Sequence, residues 1–216
     1  MTEPASPSRR AVWVMAAAMA AAIAGVAALA ANRGAPAFHG TTYTEVLPAA
    51  PFALVDHAGR PVTLESYRGA PVLLFFGFTH CPDVCPLTLD RLARAVERAG
   101  RPARDTRILL VTVDPARDTP DVLAAYVARF SPRVVGLTGD SAALAHARAG
   151  YGAYVVEAPA PAAHAGHGAH PAPAPGRTVH SRVVYGIDRR GDLQVVISET
   201  ATPEQVADDV RTLARL

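Results

Sequence analysis

The chain is poor in aromatic side chains, in cysteine and in excess charge. Aromatics make up 6% of its 216 residues, and the formal net charge is only +2, with acidic and basic residues interspersed. A nucleic-acid binder carries a clustered basic face, often with aromatic platforms for bases. Neither is present, so no nucleic-acid partner is expected. Methionine is missing after Met19, which leaves the remainder without a thioether for a soft metal. Cysteine occurs twice, as Cys81 and Cys85. Half the residues are apolar, enough to build the core of one ordinary domain plus accessories.

One stretch lacks charge altogether. Ser8-Arg9-Arg10 is followed by 21 uncharged residues, 11–31, of which 12 are alanine, and then by Asn32-Arg33. As a helix this run reaches roughly 30 Å, about one bilayer core. A retained membrane anchor is the favoured reading, because the run exceeds the roughly 7–15 apolar residues of a signal peptide. A cleaved export signal is the second, helped by small residues such as Ala28-Leu29-Ala30. An alanine-rich soluble helix is the third, opposed by the lack of a polar face. Arg9-Arg10 ahead of the run keeps the N-terminus inside and puts the rest of the chain outside the cytoplasm, on the periplasmic side of the inner membrane. Segment 1–33 is therefore set apart. Residues 34–50, with prolines at 36 and 48 and no periodicity, read as a tether. Residues 51–216 read as the folded domain.

Within that domain, strand and helix patterns alternate. "FALVDHAGRPVTL" predicts two short strands around the turn His57–Arg60. Residues 72–76 form a continuous apolar run, the mark of a strand covered on both faces. A helix is predicted over about 86–99, with Leu89, Leu92, Ala93 and Val96 on one face. A second buried strand covers 108–113. Thr119-Pro120 is a cap with proline at the first helical position, and Leu123, Tyr126, Val127 and Phe130 give that helix its buried stripe. Strand 134–137, a short helix capped by Ser141 and a short strand at 154–156 follow. Residues 157–178, "EAPAPAAHAGHGAHPAPAPGRT", are low in complexity and read as a loop that buries no core. "HSRVVYGI" and "LQVVIS" flank Asp188-Arg189-Arg190-Gly191-Asp192 as an antiparallel hairpin. Thr202 and Gln205 are spaced as a capping box for the last helix. The expected fold is α/β: a central, mostly parallel sheet with an antiparallel edge hairpin, flanked by helices.

The cysteines follow the first central strand, where a thioredoxin-like fold keeps its chemistry. Three residues separate them, and Pro82 and Pro86 flank them. A structural disulfide is one reading, but so small a closed loop gains little chain entropy. The alternatives are a redox pair or a soft metal site. A helix N-terminus favours thiolate, which both need. Two thiolates select Cu(I), and imidazole suits a third position. His39 lies in the tether, His57 in a turn and His146 on a helix, all read as surface residues. His80 adjoins Cys81, and adjacent residues rarely chelate together. By pattern alone, His180 is as good a strand-end residue as a ligand.

"FFGFTHCPDVCPLTL", "VTVDPARDTPDVLAAYVARFSPRVVGLTG" and "TVHSRVVYGIDRRGDL" resemble the three signature blocks of the Sco/SenC family. These are membrane-anchored, thioredoxin-like proteins that deliver copper for cytochrome c oxidase assembly. The resemblance runs from about Pro51 to the C-terminus. It implies a thioredoxin-like domain that holds copper, as Cu(I) with Cu(II) left open, through Cys81, Cys85 and His180. It also implies three partners: the copper-bearing oxidase subunit, a thioredoxin-like reductant for a Cys81–Cys85 disulfide, and a copper donor. The family usually places an acidic residue before the ligand histidine, where this chain has Val179. The loop histidines His164, His167 and His170 are not part of the family core and read as a solvated linker or an auxiliary metal site. The competing function is a thiol–disulfide oxidoreductase acting on the oxidase subunit or other exported proteins.

Overall fold

The computed structural model describes residues 9–31, 37–157, 178–180 and 182–216. The chain divides into two units, Met1–Ala37 and Phe38–Leu216. The described part of the first is a single helix, α1 (Arg9–Ala31). Alanine is the strongest helix former, and with no proline or polar breaker the run stays helical. Val12, Trp13, Val14, Met15, Met19 and Ile23 all stand exposed along it. Among the described residues no helix is long and apolar enough to cross a membrane. The expected membrane segment is thus helical, while a span is not shown.

The second unit runs β1 (Leu47–Pro48), β2 (Ala53–Asp56), β3 (Pro61–Thr63), β4 (Val72–Gly77), α2 (Val84–Ala99), β5 (Arg107–Thr112), α3 (Pro120–Val127), β6 (Val134–Thr138), α4 (Ser141–Gly150), β7 (Val155–Glu157), β8 (Thr178–His180), β9 (Val184–Ile187), β10 (Asp192–Ile197) and α5 (Pro203–Leu213). Eight strands form one sheet in the order β1-β10-β9-β4-β5-β6-β2-β3, and β7 pairs with β8 separately. Only β4–β5 and β5–β6 run parallel; the other five pairings of the large sheet are antiparallel. The expectation of a mostly parallel sheet is corrected to a mixed one. The β9–β10 hairpin is not the edge either: β9 pairs with β4, and β1 lies beyond β10. A continuous apolar run shows that a strand is covered on both faces, and a central antiparallel strand under helices meets that condition as well as a parallel one.

The sheet sorts its residues by period two. Leu73 and Phe75 of β4, with Ile108 and Leu110 of β5, enter a core shared with α2, α3 and α5. Val72, Leu74 and Phe76, with Leu109 and Val111, enter a second core with Phe52, Leu144, Ala147, Tyr151 and Tyr185. At about 25 cal/mol per Å² of apolar surface removed from water, these two cores are the main stabilising contribution.

Several expected boundaries shift for local reasons. Helix α2 begins at Val84, because the Asp83 carboxylate accepts the Val84 N–H at 2.7 Å; Pro86 in the first turn lacks an N–H that would go unpaired there anyway. Helix α3 ends at Val127, and Arg129 and Phe130 close it with bonds to Tyr126 and Val127 three residues back. The cap of α4 is Asp140, which accepts the Ala143 N–H, and Ser141 is the first helical residue. The Thr202–Gln205 capping box is present.

The expected tether also differs. Thr41 bridges Val196, β1 pairs with β10, and Ala49 is buried, so the chain from Phe38 onward is docked on the domain. Proline at the β1 edge costs no ladder bond. The buried Asp209 carboxylate accepts the backbone N–H groups of His39 at 2.7 Å and Gly40 at 3.2 Å.

Candidate metal and thiol site

Strand β4 ends at Gly77, and the turn Phe78–Asp83 carries the chain into α2. Cys81 lies in that turn, its N–H bonded to the Phe78 carbonyl at 3.4 Å. Cys85 is the second residue of α2 and is fully buried, whereas Cys81 is partly exposed. Both are thiols. The Cys85 N–H, one of the donors a helix leaves unpaired in its first turn, points at Cys81 Sγ at 3.4 Å. The helix N-terminus therefore supports the Cys81 sulfur. Cys85 does not share the thiolate stabilisation expected from the sequence. Its thiol is pushed far up, first by its hydrogen bond to Cys81 and then by burial; a backbone hydrogen bond from Phe78 opposes both. The pair thus holds a proton between two sulfurs, which a metal or an oxidant has to displace.

Glycine is required at position 77 by close approach. A Cβ there would lie 2.8 Å from the Phe75 ring, 3.0 Å from Cys85 Sγ and 3.0 Å from Leu110. The end of β4 is pared down to seat the Cys85 sulfur.

The turn is pinned from below by Asp118, whose side chain is fully buried. Its carboxylate accepts the Thr79 N–H at 3.1 Å, the Thr79 hydroxyl at 2.5 Å and the Thr112 hydroxyl at 2.5 Å. With the one hydroxyl proton of Thr79 spent on Asp118, His80 Nδ1, 2.9 Å from Thr79 Oγ1, is the donor of that contact. The Asp114-Pro115-x-Arg117-Asp118-Thr119 block accounts for the geometry. The Asp114 N–H donates to Thr112 Oγ1, Arg117 pairs with Asp114, the Asp118 N–H returns to the Asp114 carbonyl, and Thr119 caps α3. Sequence reading took this block as a signature only and missed Asp118 as a site residue. The available signal was an acidic residue directly before the Thr119-Pro120 helix start, in a segment with a second acid at Asp114.

The histidines are placed as follows. His39 lies 3.5 Å from Asp208, His57 Nδ1 accepts the Gly136 N–H at 3.2 Å, and His146 is exposed on α4. His180 does not open the β9–β10 hairpin. It ends β8, its backbone opposite Val155 of β7; its side chain is not among those described. His164, His167 and His170 lie outside the described residues. Among the described residues, no group of three or more histidine, cysteine and acidic side chains is arranged to hold a metal.

A buried thiol next to a half-exposed one, at the end of a sheet strand and the start of a helix, defines a class: α/β domains that keep a dithiol at a helix N-terminus. Within that class the particular family is clear. The family model described as SCO1/SenC matches residues 42–215, and the chain belongs to the SCO1/SenC family. The mitochondrial Protein SCO2 homolog of Bos taurus is 35% identical over 164 residues, 74% of this chain and 57% of its own length. The chain spans about half the length of the curated relatives it matches. The structure of Bradyrhizobium japonicum ScoI with copper bound is similar at TM-score 0.64 and 33% identity, over 76% of this chain and 98% of that one. BsSco, a member of the Sco family of cytochrome c oxidase assembly proteins in which a disulfide switch was identified, shares the fold at TM-score 0.58. Its identity is 22%, over 82% of this chain and 97% of that one.

Proposed function

We propose that this chain is a membrane-anchored copper metallochaperone with a thioredoxin-like domain, working outside the cytoplasm on the periplasmic side of the inner membrane. It carries copper on Cys81, Cys85 and His180 and passes it to the copper-bearing subunit of cytochrome c oxidase during assembly. The observation that carries the reading is the dithiol at the start of α2, in a chain of the SCO1/SenC family that is similar to a ScoI structure with copper bound. Two soft sulfurs with an imidazole suit Cu(I). Because each sulfur enters the site as a thiol, loading releases protons, and release to the partner proceeds by ligand exchange. A disulfide sulfur is a poor ligand, so an exported pair needs a reducing partner before a copper donor can load it.

The anchor reading rests on α1. Its 23 residues extend about 35 Å at 1.5 Å per residue, against a bilayer core of about 30 Å. Full-length protein is then expected to stay with membranes under alkaline extraction, and a soluble form with its N-terminus near Ala31 would assign it to a cleaved signal instead. His164, His167 and His170 read as a solvated linker, with an auxiliary site that gathers copper as the alternative; deleting residues 160–172 lowers total copper uptake, with the tight Cu(I) site intact, only under the alternative.

Anaerobic Cu(I) titration of reduced and oxidised protein tests the central reading. Reduced protein is expected to bind one Cu(I) tightly and oxidised protein far more weakly. His180→Ala is expected to weaken retention, with the fold and the dithiol couple preserved. Val179→Asp, which supplies a carboxylate to orient the imidazole, is expected to tighten binding or leave it unchanged. If His180→Ala keeps wild-type copper coordination by X-ray absorption and still matures the oxidase, the thiol–disulfide oxidoreductase reading replaces this one.

A further inference from the structure

The β9–β10 hairpin is held together beyond its last backbone pair. Val184 faces Ile197 across the hairpin and Phe75 on β4. Continued by two residues, these registers set Arg182 opposite Glu199 on one side and opposite Gly77 on the other. The first of these pairs meets: Arg182 Nη1 lies 3.2 Å from Glu199 Oε2. Gly77 is the residue whose missing Cβ leaves room for Cys85 Sγ. Residues two apart on a strand share a face. The ion pair therefore lies at the level of the Cys85 sulfur, on the side where Phe75, Val184 and Ile197 pack with Leu89 of α2.

An exposed ion pair gains little when two long side chains must give up their freedom to make it. Here one partner stands on a prepared turn. Arg91 of α2 donates from Nη1 to three carbonyls of the β10–α5 turn: Ser198 at 3.3 Å, Ala201 at 3.0 Å and Glu199. Within the turn, the Thr200 N–H donates to Ser198 Oγ at 3.2 Å, and the Ala201 N–H to the Ser198 carbonyl at 3.2 Å. The helix that carries Cys85 thus fixes Glu199, Glu199 holds Arg182, and Arg182 is two residues past His180.

We propose that Arg182 and Glu199 are positioning residues: their ion pair latches the chain leaving His180 to the turn that Arg91 clamps onto the cysteine helix, and so favours closure of the copper site by His180. The proposal rests on the reading of His180 as a copper ligand.

In the full reduced chain, Arg182→Gln and Glu199→Gln are each expected to lower Cu(I) retention about threefold in competition with a chromophoric chelator, the scale of one exposed ion pair. The double variant should fall no further than either single one, because both remove the same interaction. Arg182→Lys keeps the charge and should retain copper as wild type does. Raising the salt from about 0.02 M to about 0.5 M should shrink the difference between Glu199→Gln and wild type. The pair acts on His180 and not on the sulfurs, so the dithiol–disulfide midpoint should stay in place, and Glu199→Gln should cost nothing further in a His180→Ala background. Metal-free protein gives a readout independent of copper: the Val183 and Val184 amides should exchange with solvent about threefold faster in either single variant. If His180→Ala holds copper as tightly as wild type, the ligand reading fails, and the latch is judged on amide exchange alone. Wild-type exchange in both single variants overturns the proposal. So does a retention loss that persists in His180→Ala or comes with a shifted midpoint, and so, where His180 proves a ligand, does wild-type retention in Glu199→Gln.

Discussion

Removing the Asp118 carboxylate tests whether the turn bearing Cys81 is held in place from below. In Asp118→Ala three donors lose their acceptor: the Thr79 N–H, the Thr79 hydroxyl and the Thr112 hydroxyl. Both hydroxyls can rotate toward other acceptors, and Thr112 Oγ1 still accepts the Asp114 N–H. The Thr79 N–H cannot rotate. One stranded buried donor costs roughly 1–3 kcal/mol, and each hydrogen bond to a charged acceptor contributes about 1.5–3 kcal/mol. Relief of the buried charge offsets part of this, so a net loss of about 3 kcal/mol is expected. For a domain of this size that corresponds to a fall in Tm of roughly 6–12 °C. Asp118→Asn keeps an oxygen that accepts the Thr79 N–H and is expected to cost about 1 kcal/mol. Reversible urea unfolding of the reduced protein gives both numbers, with copper competition alongside to report displacement of Cys81. If alanine costs under 1 kcal/mol, Asp118 does not hold the turn. If asparagine costs as much as alanine, the charge rather than the acceptor geometry is what the turn needs.

Gly77→Ala drives a methyl group into the Phe75 ring, Leu110 and Cys85 Sγ; overpacking of this kind costs about 1–3 kcal/mol, and both the urea midpoint and Cu(I) retention are expected to fall. Asp209, whose carboxyl is raised above the usual range by desolvation against the opposing His39 and Gly40 N–H groups, binds its proton more tightly folded than unfolded. Its contribution is therefore most favourable at low pH and declines as pH rises from near 3.8 through its higher folded value. Asp209→Asn should flatten that decline in unfolding curves taken from pH 3 to 7, and an unchanged pH slope would show that Asp209 is not its source. Thr202→Ala removes the acceptor of the Gln205 N–H at the start of α5 and is expected to cost about 1 kcal/mol in the same unfolding assay.

Much of this was legible in the residues because it depends on local chemistry. Apolar runs at 72–76 and 108–113 marked β4 and β5 in any fold. Thr119-Pro120 and Thr202 with Gln205 marked helix starts, because a cap needs only a side-chain oxygen at a fixed offset. The Tyr126 stripe at helical spacing was read as core, and it is buried. Cys81-Pro82-Asp83-Val84-Cys85 could be seen as a soft pair at a helix entrance, since sulfur type and spacing are written in the chain.

Tertiary structure decided the rest, because those features depend on groups brought together from far apart in sequence. Backbone hydrogen bonds are blind to side-chain identity, so no periodicity reveals that β9 slots antiparallel beside β4, or that β1 ends the sheet. Strand β8 stands apart from β9 because its partner is β7. The proton on Cys85 is held by a neighbouring sulfur and by burial, and neither is a property of the helix dipole that spacing suggested. Asp118 became part of the site only when the segment between β5 and α3 was packed beside the cysteine turn, since a buried polar atom acquires a role from the atoms it meets, and the sequence alone does not specify which atoms those are.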